Sequence, residues 1–293
     1  MFRMTLVLLI LGSFFSCKTS SVTQPAAAPP ADNGLLWEIQ GKGLPAPSYL
    51  YGTIHIICPE DFRLTDSIKA SFGRSSKVYL ELDMDDPAMT MKTLQLAMMP
   101  KGSMKDLMSP EDYALLDRFM TDSVKMPMML FNKMKPFTLL SVLYTKVLPC
   151  TNLESYEQRF VAMAASQKKE VLGLERLEDQ FAVFDQIPDT AEARMILNMV
   201  KDFNGYRREF QKMVDAYKSE DLQGLASLAS SSPDLKGFED QLLVSRNRNW
   251  IPVMEKALKQ ESCFFAVGAA HLPGPDGVIQ LLRQAGYEVR PVR

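Results

Sequence analysis

Only two histidines occur in the 293 residues, His55 and His271. Any imidazole chemistry, proton transfer or metal ligation alike, has to pass through one or both of them. Cysteine is scarce as well. There are four, with no Cys-x-x-Cys pair, so neither a thiol-redox motif nor a zinc knuckle is written into the chain. An excess of positive charge is missing too: 33 Lys and Arg against 35 Asp and Glu leave a net charge of −2, which excludes a general nucleic-acid binder. No internal repeat of fixed period is present, and beyond the leader no apolar run is long enough to cross a bilayer. Apolar material is not what the chain lacks. With 46% hydrophobic residues it is no disordered protein and can bury a substantial core.

Residues 1–16 (MFRMTLVLLILGSFFS) place Arg3 before an unbroken apolar stretch of signal-peptide length. Phe14-Phe15-Ser16-Cys17 is similar to a loose lipobox, which makes Cys17 the lipidated first residue of the mature chain and its membrane attachment. Ordinary cleavage nearby is the alternative. Residues 17–34 are polar and rich in Ala and Pro, a flexible tether. Residues 35–293 follow as a single domain on an exported, envelope-anchored chain. In an oxidising compartment Cys58, Cys150 and Cys263 allow one disulfide and one free thiol, and spacing does not choose the pair.

The body predicts few strands among many helices, an α/β (α+β) fold with a central mixed sheet and long helical insertions. Residues 35–52 read as a hairpin, and Lys77–Asp83, Glu170–Leu174, Cys263–Val267 and Tyr287–Val292 as further strands. Ser109-Pro110 starts a helix. Asp189-x-x-Glu192 opens another as a capping box, with a pattern running to Lys218. A last helix joins Gly277 to Ala285, ended by Gly286. Residues 84–134 hold 12 of the 19 methionines. Such a segment reads as a plastic core or an adaptable peptide groove. Thioethers also suit Cu(I), although no His or Cys is interleaved there.

Both histidines obey one grammar. Tyr-Leu-Tyr-Gly52-Thr-Ile-His55 and Phe-Phe-Ala-Val-Gly268-Ala-Ala-His271 each run an apolar strand into glycine, with histidine three residues later. The repetition hints at two related halves. Glycine at a strand end permits a close approach or an unusual dihedral, and strand ends are where open α/β sheets hold ligands. Two converging imidazoles begin a divalent-metal site that a carboxylate or water would complete. Glu81, in Val-Tyr-Leu-Glu-Leu-Asp, is the candidate ligand or general base, because a carboxylate in an apolar strand is costly to bury without purpose. Asp83 is expected on the same face. In Arg246-Asn247-Arg248-Asn249-Trp250, Arg246 and Asn249 are expected to share a helix face, where Arg246 could clamp a carboxylate or steady an oxyanion.

The set of Leu35–Ile56, the acidic strand, Gly-Leu-Glu-Arg-Leu-Glu-Asp-Gln, Ser-Arg-Asn-Arg-Asn-Trp and the C-terminal Gly-x-x-His segment together resembles the TraB/GumN family, which includes the Tiki membrane-anchored metalloproteases that act on Wnt proteins. The resemblance implies paired halves and a divalent metal, manganese or cobalt, with zinc as the other possibility. It puts His55, His271 and Glu81 at the metal and Arg246 in the catalytic machinery. Asn247, Glu175 and Gln180 match further positions of the family pattern. The expected function is an exported metal-dependent hydrolase acting on a peptide or protein substrate. The alternative is a non-catalytic lipoprotein that binds a peptide or hydrophobic ligand.

Overall fold

The two apolar strands that carry the Gly-x-x-His turns lie side by side in the middle of one sheet. In the computed structural model, which describes residues 33–232 and 237–292, six strands run in the order β4-β3-β5-β2-β1-β6. They are β1 (Leu36–Gln40), β2 (Ser48–Thr53), β3 (Lys77–Leu80), β4 (Val171–Gly173), β5 (Cys263–Gly268) and β6 (Glu288–Pro291). The leader, Cys17 and nearly all of the tether lie outside the described residues.

The four strands β4, β3, β5 and β2 are mutually parallel, while β1 is antiparallel to both β2 and β6. Every residue of β2 and β5 is buried. That is why both read as near-continuous apolar runs: parallel strands covered on both faces have no solvent side to keep polar. The central mixed sheet is as expected. Strand β3 stops earlier than the sequence pattern, at Leu80, so Glu81 stands just past the strand end.

The helices in the first half are α1 (Asp66–Arg74), α2 (Met89–Leu96), α3 (Pro110–Phe119), α4 (Pro136–Tyr144) and α5 (Tyr156–Gln167). The second half supplies α6 (Leu177–Phe184), α7 (Asp189–Lys201), α8 (Phe203–Lys218), α9 (Leu222–Ser231), α10 (Ser245–Leu258) and α11 (Val278–Gln284). Ser109 caps α3 as expected, its hydroxyl accepting from Asp112 N at 3.1 Å. Gly286 follows α11 with a φ of 92°, a conformation glycine adopts without strain.

Two expectations about helices are corrected. The Asp189–Lys218 pattern is two helices, broken at Asp202, whose side chain caps α8 by accepting from Gly205 N at 3.0 Å. The capping box at α7 does not form. Pro188 occupies the N-cap, and Glu192 turns away to serve another helix.

Helix α5 lies under the sheet through aromatic contacts, Phe160 meeting Phe264 at 5.0 Å and Tyr51 at 5.8 Å between ring centroids. A Cys58–Cys150 disulfide closes a sequence separation of 92, and among the described residues Cys263 is the free, buried thiol. Beside the disulfide, Ile57 and Glu154 exchange backbone hydrogen bonds of 3.0 and 2.9 Å. The staple thus joins the segment after β2 to the segment that starts α5. No described helix is long and apolar enough to cross a membrane.

Candidate active site

The parallel register sets Gly52 beside Val267 and Thr53 beside Gly268, so both chains leave the sheet at the same edge. Neither glycine adopts a positive φ. Their use is close approach. A Cβ on Gly52 would stand 2.7 Å from Leu272 Cδ1 and 3.1 Å from Ala269 Cα, so the missing side chain lets the turn after β5 settle against β2. A Cβ on Gly268 would lie 3.3 Å from Glu81 Oε1, 3.5 Å from His271 Cδ2 and 3.6 Å from His55 Nε2. Gly268 therefore sits at the meeting point of the three predicted residues. Tyr217 of α8 fixes the first turn from below, donating to Gly52 O at 3.1 Å.

Each imidazole is oriented through Nδ1. His55 Nδ1 is 2.9 Å from Glu157 Oε1, a carboxylate that also accepts from the Thr53 hydroxyl at 2.6 Å and the Ser155 hydroxyl at 2.9 Å. His271 Nδ1 is 2.6 Å from Asn247 Oδ1, and the Asn247 amide in turn donates to Asp276 O at 2.9 Å. Both acceptors require the proton on Nδ1, which leaves Nε2 as the lone-pair nitrogen in the neutral ring.

The electrostatics of the two rings diverge. His55 keeps 64% of its side chain open, whereas His271 is buried. Desolvation pulls the His55 pKa down, but the hydrogen bond to Glu157 and the charges of Glu81 and Glu157 override it and raise it to about 9. Desolvation together with the Arg246 and His55 charges lowers His271 to about 3, against the pull of Glu81. One ring is an imidazolium at neutral pH and its neighbour is not.

Glu81 and Arg246 form the other half. Gly268 N–H donates to Glu81 Oε1 at 2.8 Å, and Arg246 Nη2 donates to Glu81 Oε2 at 2.6 Å. Burial opposes the charge on Glu81, yet Arg246, both histidines and the Gly268 N–H hold the carboxyl far below the usual range. Arg246 is itself gripped by Glu175, with Nη2 to Oε1 at 2.5 Å, and Glu175 also takes the Trp250 indole N–H at 3.0 Å and the Gln180 amide at 3.1 Å. The family-pattern residues Asn247, Glu175 and Gln180 thus have a physical role: they orient His271 and Arg246.

The expected pairing of Arg246 with Asn249 is corrected. Arg246, Asn247 and Trp250 form the buried face of α10, and Asn249 is exposed. Asp83 does not join Glu81 either. It faces Asp85 and Asp86, and desolvation with those neighbours raises it to about 6. With Asp86 and Glu178 it lines an open polar cleft of about 600 Å³ that does not include the histidines.

His55, His271, Arg246 and Gly268 all border a different cavity, of about 380 Å³ and apolar. Its methionines are Met195 and Met213, not those of the Met-rich segment. That segment packs elsewhere, with Met104, Met120 and Met128 in the core and Met91 and Met129 exposed. The expectation that it lines the groove is corrected on that ground. Glu157 and Glu192 are the functional candidates that sequence reading passed over. An acidic residue in a first helical turn is too common to mark Glu157, and Glu192 resembled a cap.

Whether these residues suit a divalent ion can be tested on their donors. The imidazoles do once His55 gives up its Nε2 proton: Nδ1 is tied off in each, and a cradle without a Cβ lies beside Nε2 of His55. The third position is less open. Glu81 is neutralised by Arg246, whose Nη1 stands 3.3 Å from His271 Nε2, and Glu81 Oε1 is 4.0 Å from that nitrogen. Among the described residues no group of three or more His, Cys, Asp or Glu side chains is gathered closely enough to hold an ion as it stands.

Known proteins give the arrangement its context. The chain is 24% identical over 317 residues to Metalloprotease TIKI1 of Danio rerio, covering 88% of this chain and 63% of that protein. It is 26% identical over 317 residues to Metalloprotease TIKI2 of the same fish, covering 88% and 60%. Against Metalloprotease TIKI1 of Homo sapiens the identity is 24% over 324 residues, covering 88% and 61%. The chain thus spans somewhat under two thirds of the length of these relatives. No solved structure matches it. Residues 35–291, which contain every described strand and both Gly-x-x-His turns, match the TraB/PrgY/gumN family, and the chain belongs to that family.

Proposed function

We propose that this chain is an exported, metal-dependent hydrolase that cleaves peptide bonds. The observation that carries the reading is the convergence of the two imidazoles from neighbouring parallel strands, each fixed at Nδ1, beside an apolar cavity. The metalloprotease relatives support it independently. When bound, a divalent ion such as manganese, cobalt or zinc would be held by Nε2 of His55 and His271 and would supply Lewis acidity toward a carbonyl and its attacking water.

The remaining work falls to the chain itself. Arg246 offers a buried guanidinium, stiffened by two carboxylates, to a developing oxyanion or a substrate carboxylate. Glu81, kept ionised by that guanidinium, is the carboxylate whose charge acts on both histidines, and it is the candidate base. For Glu81 to accept a proton, its ion pair with Arg246 has to loosen, since that guanidinium holds the carboxylate charged. The Cys58–Cys150 disulfide suits an oxidising compartment and supports export, with Cys17 as lipid anchor.

The test has two arms. Elemental analysis after reconstitution with Mn²⁺, Co²⁺ or Zn²⁺ should give about one equivalent, lost in His271→Ala and in His55→Ala. Loaded protein should cleave members of a diverse peptide library, and Glu81→Gln should not. Cleavage of nothing, with Glu81→Gln indistinguishable from wild type, would sink the hydrolase. The apolar cavity favours one rival, a binding lipoprotein without chemistry, which would retain intact peptide whether or not chelator is present.

A further inference from the structure

Glu192 is the acid that the sequence pairs with its own helix start and that the fold uses otherwise. It is buried on α7, in the wall of the apolar cavity that also borders His55 and His271. Its Oε2 accepts from Phe137 N, in the first turn of α4, at 2.9 Å. Its Oε1 is buried and has no hydrogen-bond partner among the described residues. Buried polar atoms are almost always paired, so an orphan on a residue that lines a cavity asks for a partner from outside the protein.

The charge state narrows the partner. Burial, opposed by the Phe137 N–H and helped by Asp189 and Asp185, raises Glu192 to about 8, and Lys135, the nearby cation, is paired with Asp185. The acid is therefore mostly neutral at pH 7. Since Oε2 already accepts, the proton belongs on Oε1, making it a hydroxyl that can both give and take a hydrogen bond. Around it the walls are flat and apolar: Phe137 and Phe184 stack at 3.5 Å between centroids, with Leu140, Phe210, Met195 and Met213 alongside.

The geometry points to a subsite for a phenolic side chain: the cavity receives a tyrosine ring of the peptide held at the histidine pair, and the ring hydroxyl pairs with Glu192 Oε1. This rests on the peptide reading above. A phenol meets both requirements, a flat apolar body and a tip that donates and accepts. An acyl chain or a phenylalanine would fill the walls and leave Oε1 orphaned. A site built around a substrate hydroxyl discriminates strongly against the analogue that lacks it.

The experiment is a binding measurement on the full chain in the presence of chelator, so neither metal nor turnover enters. N-acetyl-tyrosinamide and N-acetyl-phenylalaninamide are titrated into protein labelled at the methionine methyls and the glutamate carboxyl carbons. The tyrosine amide should bind about tenfold more tightly, the magnitude of one buried hydrogen bond. It should move the Met195 and Met213 methyls and the Glu192 carboxyl carbon, while the phenylalanine amide moves only the methyls. In Glu192→Leu the preference should fall to within about twofold. If that variant fails to fold for want of the Phe137 contact, the carboxyl signal of the wild type decides alone. Equal affinities, or tyrosine-amide binding that leaves Met195 and Met213 unmoved, would overturn the subsite and leave the hydrolase standing. The expected binding without hydrolysis of any peptide would overturn the hydrolase and leave the subsite.

Discussion

A methyl group at Gly268 would point into the space between Glu81, His271 and His55 at 3.3 to 3.6 Å, tight but not impossible. Gly268→Ala should therefore fold with a stability loss of about 1 kcal/mol or less, while metal retention drops sharply. Gly52→Ala is the contrasting case. Its Cβ meets Ala269 Cα at 3.1 Å as well as Leu272, and the expected cost is about 1–3 kcal/mol. Urea denaturation and elemental analysis on the two variants would separate space needed by the site from space needed by the fold. The His55–Glu157 pair gives a pH signature. A pKa raised to about 9 from 6.5 means that the pair's stabilisation is complete below pH 6.5 and lost as pH rises through 9. The melting-temperature gap between wild type and Glu157→Gln should be widest near pH 6 and shrink above pH 9. A constant gap would refute the pairing.

Among the elements, α10 and the disulfide carry the most consequence. Arg246→Met would leave Glu81 and Glu175 buried without their cation, a loss of about 3–5 kcal/mol. Because the guanidinium carbon lies 4.9 Å from the Trp250 ring centroid, tryptophan fluorescence should report the change directly. Asn249→Ala, on the exposed face, should stay within about 0.5 kcal/mol of wild type. Reducing Cys58–Cys150 reopens a separation of 92 residues, worth about 4–5 kcal/mol in loop entropy. It also unpins the segment bearing His55 from the one bearing Glu157. Chemical denaturation with and without dithiothreitol should show the stability loss, and the His55 pKa should fall back toward 6.5 in the reduced protein.

Over the whole molecule, what could be read from the chain divides by sequence distance. Both histidine turns were legible because strand, glycine and histidine are consecutive, and parallel burial stamps its continuous apolar run on β2 and β5. The partners of those histidines were not, since Glu157 and Asn247 stand 102 and 24 positions away and their local contexts are ordinary. Glu192 misled for a related reason. An acid three residues into a helix looks the same whether it caps its own helix or the start of α4. The break at Asp202 did have a local signal, an Asp three residues before glycine, that amphipathic periodicity overrode. The Arg246–Asn249 expectation failed because i, i+3 spacing names neighbours without saying which side meets the core; Trp250, four residues on, was the better guide.

Strand order has an implication for how the chain comes into being. Strand β5, the plank between β3 and β2, is made after residue 262, later than β1, β2, β3 and β4. Until it arrives the sheet is two separate pieces, one holding the His55 turn and the other holding Glu81, with His271 not yet synthesised. A chain made from its amino end therefore brings His55, Glu81 and His271 together only once β5 is in place. Whatever chemistry the histidine pair performs has to wait until this central stave joins the two pieces of the sheet.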